Sequence, residues 1–110
     1  MRQLLFDELN AQDMAKIREY LIEAGEPSAV DGIYWITLHD DLLNENQFHH
    51  HQCKPFSFAV ELGRNWVKFE FLIRSRNTMS CSCTGYAGEV QTAFILRFAN
   101  NLIEKLNLKT

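Results

Sequence analysis

The sequence predicts an α+β fold: a two-layer sandwich of about four mostly antiparallel strands, with N- and C-terminal helices packed on one face. Three patterns in the chain lead to this. Two short stretches, Phe56–Leu62 and Val67–Ile73, alternate apolar and polar residues. Two long stretches, one near each end, repeat apolar residues at helical spacing. Between them lie turn signals and short polar segments, with no internal repeat. The expected order is α-β-α-β-β-β-α.

The alternating stretches carry the most information. Phe56, Phe58, Val60 and Leu62 occupy one parity, and Val67, Phe69, Phe71 and Ile73 the matching one. A period of two places one strand face in the core and the other toward water. Gly63-Arg64-Asn65-Trp66 separates the stretches, so they form a hairpin. Pairing Leu62 with Val67 sets Val60 against Phe69, Phe58 against Phe71 and Phe56 against Ile73. It also sets Glu61 against Lys68, an opposite-charge pair on the wet face. A slip by one residue would bury Lys68, so the loop has an even length of two or four.

Asn10 to Ala24 reads as an amphipathic helix, with Met14, Ile17, Leu21 and Ala24 on one face. Asn10 supplies the cap, Asp13 sits in the first turn, and Gly25 takes the position after the last turn before Pro27. Leu4, Leu5, Phe6 and Leu9 are expected to pack beside this helix as a short helix or arm. Asp31-Gly32 marks a turn, and Ile33–His39 follows as a strand. Its core side is Tyr34, Ile36 and Leu38; Trp35, Thr37 and His39 face the other way. Asn44 and Gln47 make a capping box, flanked by the Leu43–Phe48 staple, so a short helix runs over about Glu45–Gln52. Met79, Cys81 and Cys83 alternate with Ser80, Ser82 and Thr84, which predicts a last meander strand. Glu89 to about Asn107 is the closing helix, with Val90, Phe94, Phe98 and Leu102 in one row.

Composition narrows the function classes. A chain of 110 residues, 46% hydrophobic and 23% charged, is expected to form a single globular domain over 1–110. Folding at this size buries roughly 65% of the unfolded surface, enough for a core without disulfides or metal. The net charge of −3 argues against a nucleic-acid partner. No apolar run has the length of a signal peptide or a membrane span, so no membrane association is expected. With three cysteines, an odd number, a reducing cytoplasmic setting is the expectation.

His49-His50-His51-Gln52-Cys53 is the most conspicuous string. On a continuous helix three adjacent histidines fan over ~200° and do not share one ion. His49 and Cys53, four apart, share a face and are the candidates for metal ligation or a Cys–His catalytic pair. Cys81 and Cys83 on an extended strand lie ~6.6 Å apart at Cα and point into the core. That spacing predicts buried, unreactive thiols and no stoichiometric zinc, hence no cofactor. Asp40-Asp41 and Gly85-Tyr86-Ala87-Gly88 carry no complete acid–base or phosphate-loop motif.

No motif in the chain indicates an enzyme. The expectation is a non-catalytic interaction module that self-associates or binds another protein through its open sheet face. Trp35, His39, Ala59 and Leu72 are the candidate contact residues there, because small residues permit close approach and an aromatic anchors interfaces. Arg64, Lys68, Arg74 and Arg76 are interleaved with Glu61 and Glu70, a mixed-sign surface. The alternative is a metal-binding or small Cys/His enzymatic domain built on His49 and Cys53.

Overall fold

The computed structural model describes residues 2–77 and 81–108. Among them, strands β1 (Gln3–Phe6), β2 (Glu26–Pro27), β3 (Ile33–Thr37), β4 (Phe56–Leu62), β5 (Val67–Glu70), β6 (Leu72–Ser75) and β7 (Gly85–Tyr86) build one antiparallel open sheet. Three helices accompany it: α1 (Ala11–Ala24), α2 (Glu45–His49) and α3 (Glu89–Lys105). The fold is α+β with terminal helices, as the patterns predict, but the sheet has seven strands rather than about four. Strand order is β1-β5-β4-β3-β2, with β6 pairing β4 further along and β7 pairing β6.

The hairpin forms in the predicted register at its closed end. Val60 opposes Phe69, Glu61 opposes Lys68 and Leu62 opposes Val67. The Lys68 ammonium reaches the Glu61 carboxylate at 3.0 Å. The register then changes: Phe56 opposes Ser75 and Ser57 opposes Arg74. The expected Phe58–Phe71 and Phe56–Ile73 pairs are therefore not made. Two extra residues are accommodated around Phe71, a bulge between β5 and β6. The Phe71 amide turns to the Arg2 carbonyl, and its carbonyl accepts from the Ala87 amide. An even offset preserves parity, so Ile73 still enters the core.

The N-terminal arm is a strand, not a helix. Gln3 and Leu5 are exposed while Leu4 and Phe6 turn inward, and the segment pairs with β5. Its Phe6 ring packs edge-on against Phe69 at 6.1 Å. Helix α1 begins where predicted, with the Asn10 side chain accepting the Asp13 amide at 2.7 Å. Gly25 ends the helix for a different reason from the one expected. Its backbone is extended, and a Cβ there would lie 2.6 Å from the Trp35 carbonyl oxygen. Glycine is needed for close approach to β3, not for a left-handed turn. Gly32, by contrast, has φ +84°, which only glycine adopts without strain.

Both long helices cover the face that carries Phe56, Phe58, Val60, Phe69 and Ile73. Phe58 meets Phe94 and Phe98 edge-on, and Phe98 also meets Phe69 and Tyr20 of α1. The buried row of α3 is Gln91, Ile95, Ala99 and Leu102, with Phe94 and Phe98 at its flank. Val90, expected to begin that row, is 61% exposed. The predicted strand over Met79–Thr84 is not formed by its described part. Met79 and Ser80 lie outside the described residues, and Cys81–Thr84 is a turn closed by the Thr84 amide on the Cys81 carbonyl at 3.2 Å.

This arrangement sets different values on the two faces of the hairpin. Phe69→Ala empties a fully buried site and should lower stability by about 3–5 kcal/mol. Lys68→Ala removes one partner of a surface ion pair and should cost about 1 kcal/mol or less. Chemical denaturation of both variants checks this, and equal losses would contradict the face assignment.

Candidate metal centre

The sequence predicts one short helix over about Glu45–Gln52, and the segment is two pieces. The capping box is present: the Asn44 side chain accepts the Gln47 amide at 2.8 Å, and the Gln47 side chain accepts the Asn44 amide at 3.2 Å. Helix α2 nevertheless stops at His49. His50 leaves helical geometry at φ −89°, ψ 73°, and a 3-10 turn over His51–Cys53 follows. The break changes which side chains share a side. His49 is left exposed against the Phe48 ring, away from the cysteines. His50, one residue on, turns inward beside Cys53.

The second segment is the Cys81–Thr84 turn. A strand would hold the two cysteines apart; this turn folds the Cys83 backbone onto the Cys81 sulfur. The Cys83 amide donates to the Cys81 sulfur at 3.3 Å. The two segments meet. His50, Cys53 and Cys81 present ligand atoms that all lie within 4.8 Å of one another. The Cys53 and Cys81 sulfurs are 2.6 Å apart, and the Cys83 sulfur is 2.5 Å from His50 Nδ1. All three cysteines are buried and none is in a disulfide. Three sulfurs and one imidazole therefore gather from H-x-x-C and C-x-C pairs that are 28 residues apart between Cys53 and Cys81.

Polar groups behind the cluster hold it in place. The Asn46 side-chain amide donates to the Cys83 sulfur at 3.4 Å. Gln47, 2% exposed, donates to the Cys83 carbonyl at 3.2 Å. Gln91 of α3, also buried, donates to Gln47 Oε1 at 2.8 Å and accepts the Gly88 amide at 3.2 Å. The third residues of two helices are thus joined by their amides, and the chain of bonds ends on the cysteine turn. On the other side, the Ser75 hydroxyl at the end of β6 donates to the Cys53 carbonyl.

The local fields differ between sulfurs. Burial pushes the Cys81 thiol up, but hydrogen bonding with Cys53, the Cys83 amide and His50 outweighs it and brings the value down to about 7. Burial, and then the adjoining Cys81 and Cys53, push Cys83 up to about 11. Of these two, Cys81 is the thiol more disposed to ionise, and ionised sulfur is the form that ligates metal and reacts.

Of the residues singled out in the sequence, Cys53 belongs to this cluster and His49 does not. His50 and Cys81 complete it, and Cys83 stands beside His50. The geometry that spoke against a shared ion, a continuous helix and a straight strand, is absent from both segments. A signal for the second segment does exist: Ser80-Cys81-Ser82-Cys83-Thr84-Gly85 has the Ser/Thr/Gly content of a turn. The candidate interface residues lie elsewhere. Trp35 and Ala59 line a recess on the opposite sheet face, whereas His39 and Leu72 do not. No protein-family model, curated protein or solved structure matches this chain.

The amide chain makes a specific demand. Gln91→Leu keeps a side chain of similar size but removes the donor to buried Gln47 and the acceptor for Gly88. The variant should lose about 1–3 kcal/mol, the penalty for leaving a buried polar group unpaired. It should also speed thiol labelling of Cys83, whose turn Gln47 holds. Denaturation melts and labelling followed by mass spectrometry measure the two effects.

Proposed function

We propose that the protein is a metal-stabilised domain whose centre is a structural zinc site formed by His50, Cys53, Cys81 and Cys83. The observation that carries this reading is the convergence of the His50, Cys53 and Cys81 ligand atoms from two distant segments, with the Cys83 sulfur beside the imidazole. Zinc takes four such ligands in a tetrahedron, and a site with all four supplied by protein is a structural one. Thiolate-rich sets suit zinc better than hard cations, which take oxygen ligands. The donors aimed at the sulfurs and at the Cys83 carbonyl are the outer support that such sites use.

The location agrees with a structural role. The 3-10 turn leads into the edge of the core at Phe56, and the cysteine turn leads into β7 and α3. An ion there ties the middle of the chain to the start of the closing helix. Its binding energy would be folding energy. A catalytic metal site keeps a position open for water or substrate; in this reading Cys83, beside His50, fills the fourth position.

The reading of the open sheet face as a self-association or protein-binding surface draws less support. Ala59 is 4% exposed and Trp35 is half-buried, so the face presents a recess there and not a flat apolar patch.

Purified protein should carry one zinc per chain, and a strong chelator should lower its melting temperature. Cobalt(II) reconstitution should give the intense absorption of thiolate-to-metal charge transfer. Cys81→Ser and His50→Ala should each reduce metal content, while His49→Ala should leave it unchanged. Metal-free protein with an unchanged melting temperature would overturn the reading. A Cys53–Cys81 disulfide found by mass spectrometry in protein prepared without oxidant would do the same.

A further inference from the structure

The three cysteines of the cluster have different neighbours. The Cys53 and Cys81 sulfurs are 2.6 Å apart, although 28 residues separate them in the chain. Cys83 turns its sulfur elsewhere, to His50 Nδ1, and the Asn46 side-chain amide donates to it at 3.4 Å. One sulfur pair therefore stands in direct contact, and the third thiol has partners of its own. The backbones of the pair are held independently of any ion. The Ser75 hydroxyl donates to the Cys53 carbonyl, and the Thr84 amide donates to the Cys81 carbonyl at 3.2 Å.

Two thiolates in contact have two uses. Both can ligate one zinc ion, or they can join as a disulfide, and a sulfur in a disulfide is no longer the thiolate that zinc binds. Oxidation of this pair takes away two of the four proposed ligands. His50 and Cys83 alone do not make up a structural site. The contact also sets where oxidation stops. A sulfenic acid formed on one sulfur meets the other sulfur at once and condenses with it, before it can be oxidised further. Access selects the oxidant. Cys53 is 5% exposed and Cys81 8%, which favours a small peroxide over a bulky disulfide such as oxidised glutathione.

On the zinc reading above, which this inference requires, we propose that Cys53 and Cys81 are a peroxide-sensitive pair whose oxidation to a disulfide expels the zinc ion. One thiolate attacks the O–O bond of hydrogen peroxide, becoming a sulfenic acid and releasing hydroxide. The other thiolate attacks that sulfur, forms the S–S bond and expels the second hydroxide. Two electrons pass from the sulfurs to the peroxide, two protons convert the hydroxides to water, and Zn(II) leaves with its oxidation state unchanged. The disulfide then links the same two segments that the ion linked, so the region stays cross-linked while His50 and Cys83 are released.

The test uses the full chain, purified with reductant and then freed of it without air, and hydrogen peroxide as the oxidant. Metal content is measured first. Stoichiometric peroxide should then release zinc to a colorimetric chelator in step with the loss of two thiols, and peptide mapping by mass spectrometry should find the Cys53–Cys81 disulfide. Reductant with added zinc should reverse both changes. Oxidised glutathione at the same concentration should act about tenfold more slowly or slower still, because the thiols are buried. The oxidised, metal-free protein should melt above the reduced, chelator-stripped protein, since the disulfide replaces the lost cross-link. Cys83→Ser should still form the bridge, and Cys53→Ser should not. Mapping on the unaltered chain decides the outcome should either variant fail to fold. Zinc that stays bound, with all thiols intact, in excess peroxide would overturn the proposed switch and leave the zinc reading standing. A Cys81–Cys83 or interchain bridge, or sulfinic acid at either sulfur of the pair, would overturn the switch in the same way. Zinc-free protein before any oxidant would overturn the zinc reading, and the switch with it.

Discussion

Strand β4 hydrogen-bonds to three neighbours, β3, β5 and β6, and six of its seven residues are buried. Every other feature is placed by reference to it. On one side Phe56, Phe58, Val60 and Leu62 form the sheet's contribution to the aromatic core under α1 and α3. On the other side Ser57 and Ala59 are small enough to leave room between β3 and β6. The strand has no solvated face in its middle, so its outer residues are buried despite being polar or small. Its N-terminal end follows directly on the Cys53 turn, so the register at Phe56 also fixes where that cysteine can stand.

The bulge at Phe71 connects these consequences. With an unbroken hairpin, β5 and β6 would be one straight strand along β4. The two extra residues let the chain bend, turn the Phe71 backbone to Arg2 and Ala87, and bring Ser75 opposite Phe56. Ser75 then reaches the Cys53 carbonyl, and Arg74 comes to lie across from Ser57. The same local change thus positions one support of the cysteine cluster and the charged end of the outer recess.

The polar interior around the cluster is costly unless complete. Gln47, Gln91, three sulfurs and an imidazole would be a poor substitute for an apolar core if their hydrogen-bonding groups were left unpaired. The glutamines satisfy each other and three backbone groups. The sulfurs and the imidazole have one another as neighbours, and an ion among them is the partner the proposed reading gives them. The proposed centre would give the small chain a cross-link between segments that the sheet does not join. It is an arrangement suited to a region with little regular structure, where hydrophobic burial alone supplies few fixed contacts.

Much of the framework was legible along the chain because its causes are local. The Val60–Phe69 register, the Asn10 cap and the Asn44–Gln47 box each depend on residues a few positions apart, and each is found. So are the core sides of β3 and β4, where strict alternation allows one answer. The Phe71 bulge was hidden because a two-residue offset leaves the alternation unchanged. β1 was hidden because a four-residue strand takes its identity from the partner it pairs with. The His50–Cys53–Cys81 cluster was hidden for a related reason. His49 and Cys53 share a face only on an unbroken helix, and Cys81 and Cys83 diverge only on a straight strand. Both assumptions fail at single residues, at His50 and in the Cys81–Thr84 turn. Which of three adjacent histidines meets the cysteines depends on contacts between segments distant in the chain, and spacing alone does not encode those contacts.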